Sequence, residues 1–349
     1  MNRGIEALDL ALFCSQLAKI MKAGVGSLNA LKIVEGQIDN ITLKNAVSDA
    51  ISKFEEGEML SDALSHTGVF DPCFVRCIKT ADENNELIKC LDEFRVIYEN
   101  DDKRNALMGK AVYFPIFIAT VSVLFVLVTF IVMYPHFMGM FEGIDVEMPA
   151  FTKGVYAVSV FLGEYYMIIL LVVMALFLVA LIYKNSPAGR LRISGYILKK
   201  APFNKVKRRI IYSRFSELLA ELLIYDVDKA EALKTLAAEF SKEFYFSDLI
   251  DRASGRCSDN ELLSSALQET GFFSDMFIEM ISLGEEMGNL KNTLLDNHSL
   301  FLESAGRLAA RKQSFFEPMI IFAVAIILFI LVISIAAPLV SLFDAVGRI

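Results

Sequence analysis

The sequence predicts an all-α integral membrane protein with two homologous cytoplasmic six-helix bundles and three transmembrane helices. Three observations carry that prediction. Uncharged runs at Ala111–Tyr134, Tyr165–Tyr183 and Pro318–Phe343 separate charged blocks, and each exceeds the roughly 18 residues that mark a membrane-spanning helix. A mean hydropathy of +0.48, with 28 Phe and no Trp, is too apolar for an ordinary soluble chain of 349 residues. Lastly, Glu58–Leu91 recurs at Glu261–Leu294: shifted by 203 positions without a gap, 13 of 34 pairs are identical, where ordinary residue usage gives about two. The apolar matches, among them Leu60/Leu263, Leu64/Leu267, Phe74/Phe277 and Ile78/Ile281, fall at the spacing of a buried helix face.

The first domain, residues 1–110, reads as six helices. Leu8, Leu12, Phe13, Leu17, Ile20 and Met21 form one apolar stripe, Gly24-Val25-Gly26 stops that helix, and Ser27 is placed to cap the next. The same helix pair recurs at an offset of 202, where Phe13, Leu17 and Leu31 match Phe215, Leu219 and Leu233. Asp226 and Asp228 replace Gly24 and Gly26 there, which predicts a turn with less left-handed backbone. A third helix spans Asn40–Glu56 before Gly57, and a short fourth spans Met59–Thr67 before Gly68. Asp71-Pro72 opens a fifth, with Asp as cap and Pro at the first helical position. It runs to Glu83, and a sixth starts near Glu86. The second domain, residues 184–316, repeats this plan behind a basic leader.

Spans follow at 111–134, 155–183 and 317–343, with a loop at 135–154 and a short tail at 344–349. Pro115 falls in the first turn of span one, where a missing N–H is tolerated. Glu317-Pro318 opens span three, and Pro338 bends or ends it. Glu164 borders span two, and a carboxylate at mid-membrane costs about 2.5–3.5 kcal/mol. That places it at the outer interface, or else on a buried partner-facing surface. Arg3, Glu6 and Asp9 interrupt any N-terminal apolar stretch, so no signal peptide is expected. Arg95, Lys103, Arg104 and Lys110 precede span one, ten basic residues and no acidic one lie in Lys184–Arg214, and the 135–154 loop is acidic. The positive-inside rule then puts the N-terminus and both domains in the cytoplasm, and the loop and C-terminus outside. All five cysteines fall on the reducing side. Cys73 and Cys77 lack further ligands for a metal and read as small core residues.

The chain carries no phosphate-binding loop, zinc-protease helix or serine nucleophile elbow, and its three His are far apart. No enzyme, metal site or cofactor is expected. A small transporter or channel subunit is the alternative class. Transporters place their repeats and polar groups inside the bilayer, whereas here the repeat lies in the charged segments.

Several short motifs occur in a fixed order. They are Lys22–Leu31, the progression Tyr134-Pro135-His136-Phe137, Met140-Phe141 and Met148-Pro149 to Thr152, then Gly284-Glu285-Glu286-Met287-Gly288-Asn289-Leu290 and Glu317-Pro318. Together with the duplication they resemble the type II secretion system F domain family, the inner-membrane platform proteins of type IV pilus and type II secretion machines. Lys22–Leu31 lacks the proline of that family's turn. The first copy of the glycine motif is degenerate, keeping Glu83 and Leu87. The resemblance implies a non-catalytic platform that couples a hexameric assembly ATPase to the insertion of pilins or pseudopilins. It also implies contacts with other inner-membrane assembly proteins and a homodimer. Pilus and secretion machines are not separated by it.

Glu83 and Leu87, with their counterparts Glu286 and Leu290, offer either a docking surface or a cap or salt bridge holding the last two helices, the latter being favoured. Gly288 permits a tight turn between them. Lys207, Arg208 and Arg209 lie more than twenty residues from span two, so positive-inside bias does not explain them. Anionic lipid headgroups or an acidic partner face do. Nucleic acid is not expected, because the chain carries a net charge of −8 and no aromatic residues interleave a basic groove.

Overall fold

The computed structural model describes residues 4–109, 113–139, 150–185, 189, 192, 194–196, 198, 204–257 and 261–346, and no strand occurs among them. Six helices come first: α1 (Ala7–Lys22), α2 (Ser27–Glu35), α3 (Ile41–Glu55), α4 (Leu60–His66), α5 (Pro72–Glu83) and α6 (Leu87–Met108). Apolar helices follow: α7 (Phe114–Val128), a π turn at Thr129–Met133, α8 (Tyr134–Gly139) and α9 (Ala150–Asn185). The six-helix order then recurs as α10 (Asn204–Ile224), α11 (Lys229–Glu239), α12 (Phe244–Cys257), α13 (Leu263–Glu269), α14 (Asp275–Glu286) and α15 (Leu290–Val346).

Local chemistry sets most helix ends. Asn40 caps α3, accepting from the N–H of Thr42 at 3.1 Å and of Leu43 at 3.3 Å. Its amide donates to the Gly4 carbonyl at 2.7 Å and to Asp9 at 2.8 Å, which ties the entry segment down. Pro72 occupies the start of α5, where no N–H is required. Three expected details differ. Ser27 is the first residue of α2 rather than its cap, that place being held by Gly26. Asp71 stands at the cap position of α5 without a side-chain cap bond. Asp226 keeps the left-handed backbone of its counterpart Gly24, with φ of +54° against +90°. The turn after the first helix demands that conformation in both copies, and Asp tolerates it because its side chain is short and polar.

Residues Met1–Met108 and Leu191–Leu308 form one compact unit, and Gly109–Arg190 and Ala309–Ile349 form another. Within the first, a single apolar core runs through both helical halves. Phe13, Phe70, Phe74, Phe94 and Tyr98 stack in one half, and Tyr212, Phe215, Phe273, Phe277 and Phe301 in the other. Phe74 and Phe277 are fully buried at homologous positions, each contributing roughly 1.5–3 kcal/mol. The stripe expected on α1 is only partly used, since Phe13 and Leu17 are buried but Leu8 and Leu12 are 47% and 53% exposed. Cys14, Cys73, Cys77 and Cys90 are buried free thiols, and burial pushes all four well above the usual thiol range.

In the second unit, Pro115–His136 and Ala150–Leu176 are long and apolar enough to cross a bilayer, and so is Leu290–Ala337 within α15, whose first part to Leu308 belongs to the first unit. Pro115 lies in the first turn of α7, as its missing N–H requires. The expected loop 135–154 is helical at both ends, in α8 and from Ala150 onward. Its centre, with Met140-Phe141 and Met148-Pro149, lies outside the described residues. Tyr134 and Ser334 share a short hydrogen bond between hydroxyls, the Thr152 hydroxyl donates to the Ser334 carbonyl at 3.2 Å, and Ser159 donates to the Phe130 carbonyl at 2.5 Å. Side-chain bonds of this kind join helices where lipid offers no competing partner. The third apolar stretch is not a separate element, because α15 runs 57 residues through Pro318 and Pro338 without a break. Pro338 does not end the helix. A proline inside a long apolar helix forfeits one bond, and the turns on either side keep theirs.

Candidate functional site: the seam between the helical halves

The two halves meet along α6 and α10, and along α5 and α11. The charged residues there read, in sequence, as solvated positive-inside flanks. Arg104 is instead 2% exposed. It donates to Asp101 at 2.7 and 2.9 Å and pairs with Glu217 of α10 at 2.8 Å. Arg214 reaches back from α10 to Asp101 at 3.1 Å and to Glu239 at 2.7 Å. Asn100 donates to Glu217 at 2.6 Å, and His298 lies 3.5 Å from the same carboxylate and 3.0 Å from the Ser213 hydroxyl. Farther along, Tyr225 donates to Glu93 at 2.6 Å, and Arg76 of α5 pairs with Glu231 of α11 at 2.9 Å.

Burial shapes the titration of this network. It lowers His298 below the ordinary histidine value, with Arg104 and Lys103 acting in the same direction and Glu217 opposing. Glu239 is pushed up to about 7 by burial, against the pull of Arg214. Glu221 is pushed up to about 9, first by burial and then by its hydrogen bond and charge contact with Glu93. Taking two charges out of water costs several kcal/mol, and close opposite charges offset it. Such a seam therefore fixes one register between the halves more than it adds stability.

The predicted site residues lie in several places. Leu87 is buried and Leu290 half-buried in the same core. Glu83 and Glu286 are both exposed, and neither makes the favoured cap or salt bridge. The neighbouring Glu285 makes a cap and a salt bridge instead, tying α14 to α13 and α11 rather than to the last helix. It accepts from the N–H of Leu263 at 3.0 Å, from the N–H and hydroxyl of Ser264 at 2.9 and 2.8 Å, and from Lys229 at 2.7 Å. Burial opposes its charge, but those bonds hold its carboxyl below the ordinary value. Only a residue one turn position earlier than Glu286 faces the α13 N-terminus, which spacing alone does not reveal. Gly288 turns the chain at φ +65°, and its counterpart Asn85 does so at +58°.

Lys207 pairs with Glu243 at 3.7 Å. Arg208 packs on the Phe272 ring and bonds Tyr212 and the Phe272 carbonyl, while Arg209 bonds Ser304. The three basic residues thus do not form one surface. Glu164 is exposed on α9. Glu317 and Pro318 lie inside α15 rather than at the start of a helix. No group of three or more His, Cys, Asp or Glu fit to hold a metal occurs among the described residues.

These elements define a class: a duplicated all-helical membrane protein in which helical halves lead into apolar helices of spanning length. Residues 13–135 and 215–338 each match the family described as type II secretion system (T2SS), protein F. The chain belongs to that family. The two matches begin at homologous helices, Phe13 in α1 and Phe215 in α10. The chain is similar to the type IV pilus assembly protein PilC of Pseudomonas aeruginosa, 25% identical over 348 residues covering 99% of this chain and 93% of the relative. PilC of Thermus thermophilus is 27% identical over 352 residues, covering 100% and 85%. The type II secretion system protein F of Aeromonas hydrophila is 26% identical over 353 residues, covering 99% and 89%.

Proposed function

We propose that the chain is the non-catalytic inner-membrane platform of a type IV pilus assembly machine. It couples a cytoplasmic hexameric ATPase to the insertion of pilins into the filament. The relatives named for pilus assembly and for secretion support the machine class, and a pseudopilus-building secretion machine is the second reading. The observation that carries a coupling role is the buried seam. Through Arg104, Glu217, Arg214 and Asp101 a force on one half reaches the other without loss of register. The helical halves lie in the cytoplasm with the C-terminus outside, the chain pairs with a second copy, and Glu83 and Glu286 are free to face a partner.

Affinity purification of the full-length chain from filament-producing cells tests this. The assembly ATPase should co-purify, and cells lacking the chain should be bald. Normal filaments without the chain would refute the reading. So would labelling of Cys257 by an impermeant thiol reagent added outside intact cells, because it would put the second half on the wrong side of the motor.

A further inference from the structure

The duplication sets two homologous sites side by side, and only one of them is filled. In the first half, the site lies between Asp71 at the start of α5 and Asp101 on α6. The Arg214 side chain enters it from the second half, bonding Asp101 at 3.1 Å, with Asp71 adding to the field that favours its charge. The corresponding residues in the second half are Ser274 and Ser304, 203 positions on. There they line a cavity of about 480 Å³ whose other walls include Lys205, Arg208, Arg209 and Arg307, with no carboxylate. The charge of the site is reversed between the copies.

Among the described residues, Arg307 is the one cation of this cavity that pairs with a carboxylate, that of Glu303. Arg208 and Arg209 reach only uncharged oxygens, and the Nε of Arg208 is buried without a hydrogen-bond partner. A second copy docking in the manner of the seam would not supply an anion, because the counterpart of Arg214 in the first half is Leu12. Three arginines and one lysine lining one cavity suit an anion with several oxygens, which guanidinium forks bind in bidentate fashion. Met276, Leu300 and Phe301 give the same cavity an apolar wall, and the helix bearing Arg307 is the one that continues into the third apolar stretch.

We infer that this cavity binds a phosphate group, carried either by an anionic phospholipid headgroup or by a soluble phosphate. The test uses the full-length chain in neutral detergent, titrated with dioctanoylphosphatidylglycerol, dioctanoylphosphatidylcholine and inorganic phosphate. Phosphatidylglycerol should bind saturably and phosphatidylcholine should not. Lys205→Gln with Arg307→Gln removes two exposed cations, and at about 1 kcal/mol each should weaken binding about 30-fold. Arg208→Gln with Arg209→Gln should do the same, and Lys44→Gln with Lys53→Gln should change nothing. Inorganic phosphate binding as tightly as phosphatidylglycerol assigns a soluble source, whereas phosphatidylglycerol binding at least about tenfold tighter assigns the lipid. Equal binding of the two lipids, or binding unchanged in both cavity variants, overturns the inference. Loss of an acidic protein partner from those variants, without any phosphate binding by the parent, overturns it as well.

Discussion

Replacing Arg104 with Met removes the cation at the centre of the seam. The side chain is 2% exposed, and its loss breaks contacts of 2.7 and 2.9 Å to Asp101 and 2.8 Å to Glu217. Truncating one partner of a buried ion pair costs about 3–5 kcal/mol. Asp101 keeps Arg214 at 3.1 Å and Glu217 keeps Asn100 at 2.6 Å, so the lower end, about 3 kcal/mol, is expected. Native thiols report the opening. Cys77 and Cys90 are fully buried on α5 and α6, while Cys257 is half-buried. With a thiol reagent in the regime where closing outpaces reaction, labelling of Cys77 and Cys90 should rise about 150-fold, at a factor of ten per 1.4 kcal/mol. Labelling of Cys257 should stay near the parent rate. Adding Glu217→Met to the variant removes the stranded carboxylate and should restore most of the protection. Labelling of Cys77 and Cys90 within about twofold of the parent, as for an ordinary surface change, would refute the assignment of Arg104 as a buried tie between the halves.

Glu221→Gln should flatten the pH dependence of stability. The folded-state value of about 9 lies above the 4.5 of the free side chain. The stability associated with its proton is therefore complete below pH 4.5 and is lost as pH rises towards 9. The parent should lose up to about 1.4 kcal/mol per pH unit in that window and the variant much less, as read by thermal unfolding at a series of pH values. Glu285→Gln should act at the other end. Its depressed carboxyl stabilises the fold above the ordinary value and ceases to as pH falls, so the variant should cost about 1–2 kcal/mol at neutral pH and little in acid. Gly284→Ala should lower the melting temperature. The new Cβ would stand 2.8 Å from the Thr293 hydroxyl and 2.9 Å from its Cβ, an overpacking cost of about 1–3 kcal/mol.

The helical class, the three apolar stretches and the duplication were legible because they rest on period and length. Phe74/Phe277 and Ile78/Ile281 recur at a buried spacing, and all four are buried. Polar residues were harder to place, since a charge flanking a membrane segment and a charge in an interface look alike along the chain. Arg104 and Arg214 read as flanking positive charges along the chain, and only the packing of α10 on α6 makes them interfacial. Glu286 stood out in sequence because Glu83 repeats it, whereas the phase of α14 gives the capping role to Glu285. Leu8 and Leu12 joined an apolar stripe by spacing, but α1 presents a narrower face to the core than that spacing allows. Asp226 replaced a glycine and kept its left-handed backbone, because the turn imposes the conformation whichever residue occupies it.

The order in which the chain emerges gives the polar seam a further meaning. Asn100 and Glu217 are 117 residues apart, and at typical synthesis rates of about 5–20 residues per second the first waits roughly 6–23 s for the second. During that interval two apolar stretches must leave the ribosome and find the bilayer. A newly made first half bearing an oily mating surface would be prone to stick to nascent chains or lipid. Asn100, Asp101 and Arg104 keep part of that surface hydrated until its counterpart arrives. Ionic complementarity at this joint thus doubles as a safeguard during biogenesis.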